Sequence, residues 1–230
     1  MIAGIPDKKR GVERLAGTIA LLTSFLVVAA IFTGLDIFPE YINIHEDLSY
    51  LGENLERLRL NTWIWFFNSI LIILFGPLIL MSFLPYGRSS SYMAAFLIST
   101  TGILYMIYSV NGHNLIFLVR DYLKSAGAET DIMAGLAYKI MVSKTNLQLA
   151  AYTLAGLSSM ILGLLIASTG HLPRFIGWLA IFGGMIYASF GWISTDNILF
   201  TIGRLFFIIA LILLGSFLLL RGLVRRGKTS

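Results

Sequence analysis

The chain contains no cysteine, which excludes disulfide frameworks, Cys-ligated zinc or iron–sulfur centres and thiol nucleophiles. Charge is scarce: 13% of the 230 residues are Asp, Glu, Lys or Arg, against about 25% in soluble proteins. That leaves too little polar surface to cover a globule in water. Only five prolines occur, and one of them, Pro77 after Gly76, interrupts a long apolar run. Histidine is limited to His45, His113 and His171. No His-Glu-x-x-His pattern, phosphate loop or nucleotide fingerprint is present. What remains is apolar: hydrophobic residues make up 57% of the chain, and mean hydropathy is +0.82. The composition is that of an all-α polytopic membrane protein.

Apolar runs fall at 15–35, 62–84, 92–119, 145–168, 174–193 and 198–220. Each is close to the roughly 20 residues a helix needs to cross a bilayer core. The first follows Lys8, Lys9, Arg10 and Arg14. It is too long for a signal peptide and lacks a small-x-small cleavage pattern, so an uncleaved span is expected. Six spans place both ends on one side. Ten basic residues then fall on that side: Lys8, Lys9, Arg10, Arg14, Arg88, Arg174, Arg221, Arg225, Arg226 and Lys228. Six fall opposite, Arg57, Arg59, Arg120, Lys124, Lys139 and Lys144, while Arg204 lies inside the last run. Of the acids, only Asp7 and Glu13 accompany the first set. The positive-inside rule therefore predicts a multi-pass protein of the cell membrane with both termini cytoplasmic. The net charge of +5 belongs to this orientation, and no nucleic-acid partner is expected.

Two outer connections are long, 36–61 and 120–144. In the first, Leu48, Leu51, Leu55 and Leu58 recur at helical spacing, with Glu46, Glu53, Glu56 and Arg57 between them. That pattern predicts a short amphipathic helix, resting on the outer surface or extending the second span. In the second, Ile132, Leu136, Tyr138, Ile140 and Met141 predict another helix leading into the fourth span. No linker divides the chain, so 1–230 reads as a single six-helix transmembrane domain with a helical outer cap.

Three segments carry a family likeness: Glu13-Arg14-Leu15-Ala16-Gly17, Lys124-Ser125-Ala126-Gly127-Ala128 and His171-Leu172-Pro173-Arg174-Phe175-Ile176-Gly177-Trp178. Together they resemble an uncharacterised prokaryotic membrane family, domain of unknown function 4386. The resemblance covers most of the chain and implies a six-span fold in a prokaryotic plasma membrane. It implies no activity. Asp47-Leu48-Ser49-Tyr50-Leu51-Gly52 is similar to a second uncharacterised six-span family.

In the fourth run Ala151, Ala155, Ser159, Gly163 and Ala167 are spaced by four, a small-residue stripe that lets helix backbones approach closely. Gly184 and Ala188 supply a matching face in the fifth. The stripe reads as intramolecular packing, with a homodimer contact as the alternative. Intramembrane polar residues concentrate towards the outer side: Asn68, Asn111, His113, Asn114, Asn146, Gln148 and Arg204. Such groups are costly in hydrocarbon and tend to face a bundle interior or a wet cavity. Asn68, Asn111, His113, Asn114, Asn146 and Arg204 are therefore the candidate lining of an outward-facing pocket. Plainer roles stay open: an interhelical amide for Asn68, a structural histidine for His113, and snorkelling or pairing with Asp196 for Arg204.

No catalytic residue, metal or cofactor is expected. A bis-histidine haem needs two facing imidazoles, and the charge count puts His171 on the side opposite the other two. The expected function is non-enzymatic, either binding of a small or lipid-like ligand or service as an accessory membrane subunit. The alternative is a small transporter or permease using the same polar cluster, and an intramembrane enzyme ranks third. Membrane lipids, the ligand, and a second copy or a membrane partner subunit are the partners this reading implies.

Overall fold

The structure is a computed structural model that describes residues 7–34, 43–190 and 198–223. Asp36, Asp196, Arg225, Arg226 and Lys228, used in the charge reading, lie outside the described residues, as does the end of the fifth run. The elements are all helical: α1 (Asp7–Thr33), α2 (Ile44–Glu53), α3 (Leu55–Phe83), α4 (Arg88–Tyr122), α5 (Ala128–Thr169), α6 (Arg174–Phe190) and α7 (Ile198–Leu223). Five of them, α1, α3, α4, α5 and α7, are long and apolar enough to cross a membrane, while α6 is apolar but shorter.

The long helices alternate in direction and close into a ring. α1 packs on α3, then α4, α5, α6 and α7 follow in order, and α7 returns to α1. The outside of the ring is apolar: Phe25 and Phe96 are each 69% exposed, and Phe32 is 78% exposed. A surface so rich in exposed aromatics suits lipid rather than water. It marks the chain as a multi-pass membrane protein.

Glycine makes the ring tight, because in lipid helices associate through close packing rather than through hydrophobic exclusion. At the α1–α7 contact, a Cβ on Gly17 would stand 2.6 Å from the carbonyl oxygen of Gly215. At the α5–α6 contact, Gly156 faces Gly184 and Ala188, and Gly163 faces Gly177 and Ile181. The four-spaced stripe therefore packs inside the molecule, with Ser159 Oγ donating across it to the Ala180 carbonyl at 2.9 Å. The Gly76-Pro77 pair does not break α3. Proline leaves the carbonyl four residues earlier without its helical donor. Ser99 Oγ of α4 donates to that Ile73 carbonyl at 3.3 Å, and Gly76 supplies the room for the approach.

The outer-loop helices differ from expectation in two ways. The second is not separate: α5 runs unbroken for 42 residues from Ala128, so the expected loop helix and the fourth span are one rod. Gly127, at φ +62°, starts it, and the left-handed Gly170, also at φ +62°, ends it. The first is a separate helix, α2, joined to α3 at Asn54, whose N–H returns to the Tyr50 carbonyl. Its apolar face does not rest on a membrane surface. Leu48 and Leu51 pack into a second core with Leu115, Val119, Ala134, Ala137 and Met141 of α4 and α5. Arg57 at the start of α3 caps the last carbonyls of α1, with Nη2 to Gly34 O at 2.7 Å and Nε to Thr33 O at 3.2 Å.

A two-part cavity inside the helix ring

Two spaces lie inside the ring, one above the other. At the α2 end is a polar cavity of about 210 Å³. Its charged walls are Lys144 of α5 and Arg204 of α7, with Asn61, Tyr108, Gln148 and Tyr152 between them. Deeper in the bundle is an apolar chamber of about 80 Å³ to which all six ring helices contribute. Trp65 belongs to the wall of both. It stacks on Tyr105 at 4.4 Å between ring centroids and meets Tyr108 edge-on at 6.0 Å. Across the ring Tyr152, Tyr187 and Phe200 form a second aromatic cluster, with centroids 4.9–5.2 Å apart. These rings make an aromatic layer between the polar and apolar spaces.

The two cations rest on aromatic faces. Lys144 Nζ lies 4.5 Å from the Tyr108 ring centroid, and the Arg204 guanidinium carbon lies 5.4 Å from that of Phe200. Neither forms an ion pair with a carboxylate among the described residues. The two amides are already engaged. Gln148 donates to the Tyr152 hydroxyl, and Asn61 Nδ2 donates to the Ala30 carbonyl at 2.8 Å.

Of the six residues proposed from sequence, only Arg204 lines this cavity. Asn68 is fully buried in α3, and neither its amide nitrogen nor its oxygen has a hydrogen-bond partner among the described residues. The Asn61–Ala30 bond sets the antiparallel register of α1 and α3, which brings the equally unpartnered Thr23 hydroxyl to the level of Asn68. Asn111 Nδ2 ties α4 to α5 through Ser143 Oγ at 3.1 Å. His113 sits edge-on to Trp63, centroids 4.8 Å apart, towards the outside of α3. Asn114 and Asn146 are exposed. The six do not share a direction around the bundle, and Asn68, next to the Ser69 that faces Gly102, lies deeper than Asn111, His113 and Asn114, which flank the Gly112–Thr62 contact. Successive helical positions turn by about 100°, so neighbours such as His113 and Asn114 diverge.

Sequence reasoning had placed Lys144 among the loop charges and given Tyr108 and Tyr152 no role. Their signal was phase: Tyr105, Tyr108 and Tyr152 fall on the buried stripes of α4 and α5.

The opposite end of the ring carries a second cluster, of Glu13, His171 and Arg221. Glu13 of α1 is 0% exposed, and neither carboxylate oxygen has a hydrogen-bond partner among the described residues. Arg221 Nε of α7 lies 3.9 Å from one oxygen, and His171 Nε2 lies 3.7 Å from the other. Arg221 Nη1 also donates to the His171 carbonyl at 2.6 Å. Tyr86, from the α3–α4 turn, packs on the imidazole at 3.7 Å and accepts a hydrogen bond from Lys9. Burial, with Arg221 and Lys9 adding, pushes the His171 pKa down to about 3. The ring is therefore neutral at physiological pH, and the Glu13–His171 contact is not an ion pair. The cluster ties the start of α1, the end of α7 and two helix turns together. The first and last helices thus meet at one end of the ring.

Among curated proteins and among solved structures, nothing matches this chain. One family does match, over residues 11–222, and its description is a domain of unknown function, DUF4386. The match runs from the first turns of α1 to the last turn of α7, taking in both parts of the cavity and the Glu13 cluster. The chain belongs to the DUF4386 family.

Proposed function

We propose that this protein is a six-span, non-enzymatic component of a prokaryotic cell membrane that binds a lipid-like ligand within its helix ring from the outer side. Taken as one domain, the chain crosses six times, with α6 as the fifth crossing and both ends in the cytoplasm. The single observation that carries the binding reading is the polar cavity stacked on the apolar chamber, with Trp65 in the wall of both. A polar group and a hydrocarbon chain on one ligand match that order. The polar lining supplies cations, amides and hydroxyls, and among the described residues none of it is a carboxylate or histidine able to act as general base. Binding therefore fits it better than hydrolysis. Membrane lipid surrounds the exposed aromatic exterior.

Transport through the same chamber is the second reading. It is favoured by the far-end closure, where the Glu13–Arg221 contact joins the first and last helices and would part if they separated.

The test is native mass spectrometry of protein released from nanodiscs. Wild type should carry one copurifying amphiphile, and Ser158→Leu, which fills the chamber, should lose it while melting normally. Equal retention by both would overturn the reading. The cysteine-free chain also permits topology mapping with a membrane-impermeant maleimide. Lys139→Cys should react in intact cells, and Ser89→Cys only after permeabilisation. The reverse pattern would invert the orientation.

A further inference from the structure

The charges of the outer cavity narrow the ligand's chemistry. Lys144 and Arg204 bring two positive charges to one space of about 210 Å³, and no acid lines it among the described residues. A cation partly withdrawn from water is unfavourable unless something compensates it. Here aromatic faces compensate it only in part: Tyr108 under Lys144 and Phe200 under Arg204. The two residues come from α5 and α7, non-adjacent members of the ring, so their juxtaposition is a product of the fold. The guanidinium offers a planar fork and the ammonium a compact donor, a pair suited to an oxyanion with two or more oxygens.

The chamber below sets the rest of the molecule. Along α5 it runs from Ala155 to Ile166, and along α3 from Trp65 to Phe75. At the helical rise these distances are about 16 Å and about 15 Å. A space of about 80 Å³ spread over that length is a narrow tube. It has room for one alkyl chain, not two.

We propose that the ligand is a single-chain amphiphile with an anionic headgroup, the headgroup held between Lys144 and Arg204 and the chain lying past Trp65 in the apolar tube. This rests on the binding reading above and adds the sign of the headgroup and the number of chains. Carboxylate and phosphate monoester headgroups share the chemistry, so a long-chain carboxylate and a lyso-type phosphate are its two sources.

The experiment compares laurate, dodecyl phosphate and dodecanol as ligands of delipidated protein in nanodiscs, by calorimetry and thermal shift. Wild type should bind one or both anions at least tenfold more tightly than dodecanol, and the stronger of the two identifies the headgroup. Lys144→Gln with Arg204→Gln should remove that preference, so that the anions bind no more tightly than dodecanol. The exchange pair Lys144→Arg and Arg204→Lys should keep it, which separates lost charge from lost fold. Dodecanol binding as tightly as laurate and dodecyl phosphate would overturn the headgroup assignment while the chamber reading stands. Absence of binding by all three would overturn both. Binding of all three that Ser158→Leu leaves unchanged would place them outside the chamber and overturn both as well.

Discussion

A methyl group added at Gly163 tests whether the α5–α6 contact is as close as its glycines imply. A Cβ there would stand 2.6 Å from the Gly177 carbonyl oxygen, 2.9 Å from Ile181 Cγ1 and 3.0 Å from the Ile181 nitrogen. Two of these three atoms are backbone, so no side-chain rotation relieves the clash. The helices must part by several tenths of an ångström to reach ordinary contact. A gap of about 0.5–1 Å forfeits a quarter to a half of each dispersion well, and wells are about 0.1–0.2 kcal/mol per atom pair. Over the tens of pairs along this seam the loss is about 1–3 kcal/mol, the usual range for overpacking. Parting also stretches the Ser159–Ala180 hydrogen bond, 2.9 Å in the intact seam. Against this, alanine is the better helix former by about 0.5–1 kcal/mol. The net effect of Gly163→Ala is therefore a destabilisation of up to about 2.5 kcal/mol. Gly135→Ala is the control, because it lies in the same helix and a Cβ there meets nothing within 4 Å. Only the propensity gain of about 0.5–1 kcal/mol applies at that site, so it should stabilise. The assay is equilibrium unfolding in mixed micelles followed by circular dichroism. Shifts of the same sign in the two variants would refute the argument.

Three further outcomes follow from other parts of the ring. Glu13→Ala removes the carboxylate facing Arg221 and should cost roughly 1–3 kcal/mol, less than the ~3–5 kcal/mol for a fully buried pair, because Arg221 stays partly exposed. Glu13→Leu combined with Arg221→Leu should recover stability, and a single variant melting like wild type would show that the pair is idle. His171 has a folded pKa of about 3, below its ordinary 6.5, so on acidification the unfolded chain takes up the proton first. Its stability contribution is complete above pH 6.5 and is lost as pH falls towards 3. From pH 6.5 to 5 wild type should lose about 2 kcal/mol more than His171→Gln, and parallel pH profiles would contradict this. Leu48→Ala, at a position 0% exposed in α2, should cost ~2–5 kcal/mol and raise hydrogen exchange across 44–53, whereas the exposed Ser49→Ala should do neither.

Much of the architecture was legible from apolar runs and their spacing. The membrane class, the long helices, the amphipathic α2 and the small-residue stripe each rest on local periodicity, which bilayer thickness and helix geometry constrain directly. Depth was legible only in part: Asn111, His113 and Asn114 lie near the end of α4, while Asn68 sits deeper in the bundle. Direction around each helix was harder to read. Asn111, His113 and Asn114 are consecutive or nearly so and point to Ser143, to Trp63 and outward, respectively.

Tertiary structure decided which residues share a space. Lys144 and Arg204 are sixty positions apart, and Glu13 and Arg221 more than two hundred. They meet only because α7 closes on α1 and six helices surround one axis. Periodicity within a helix says which side is buried but not which neighbour buries it. That choice depends on the order of packing around the ring, which is set by glycines at its contacts and by the docking of α2 on α4 and α5. The sequence by itself therefore determined a helical membrane protein with polar groups near one end. The closed ring turned two of its cations, an aromatic layer and an apolar tube into one cavity.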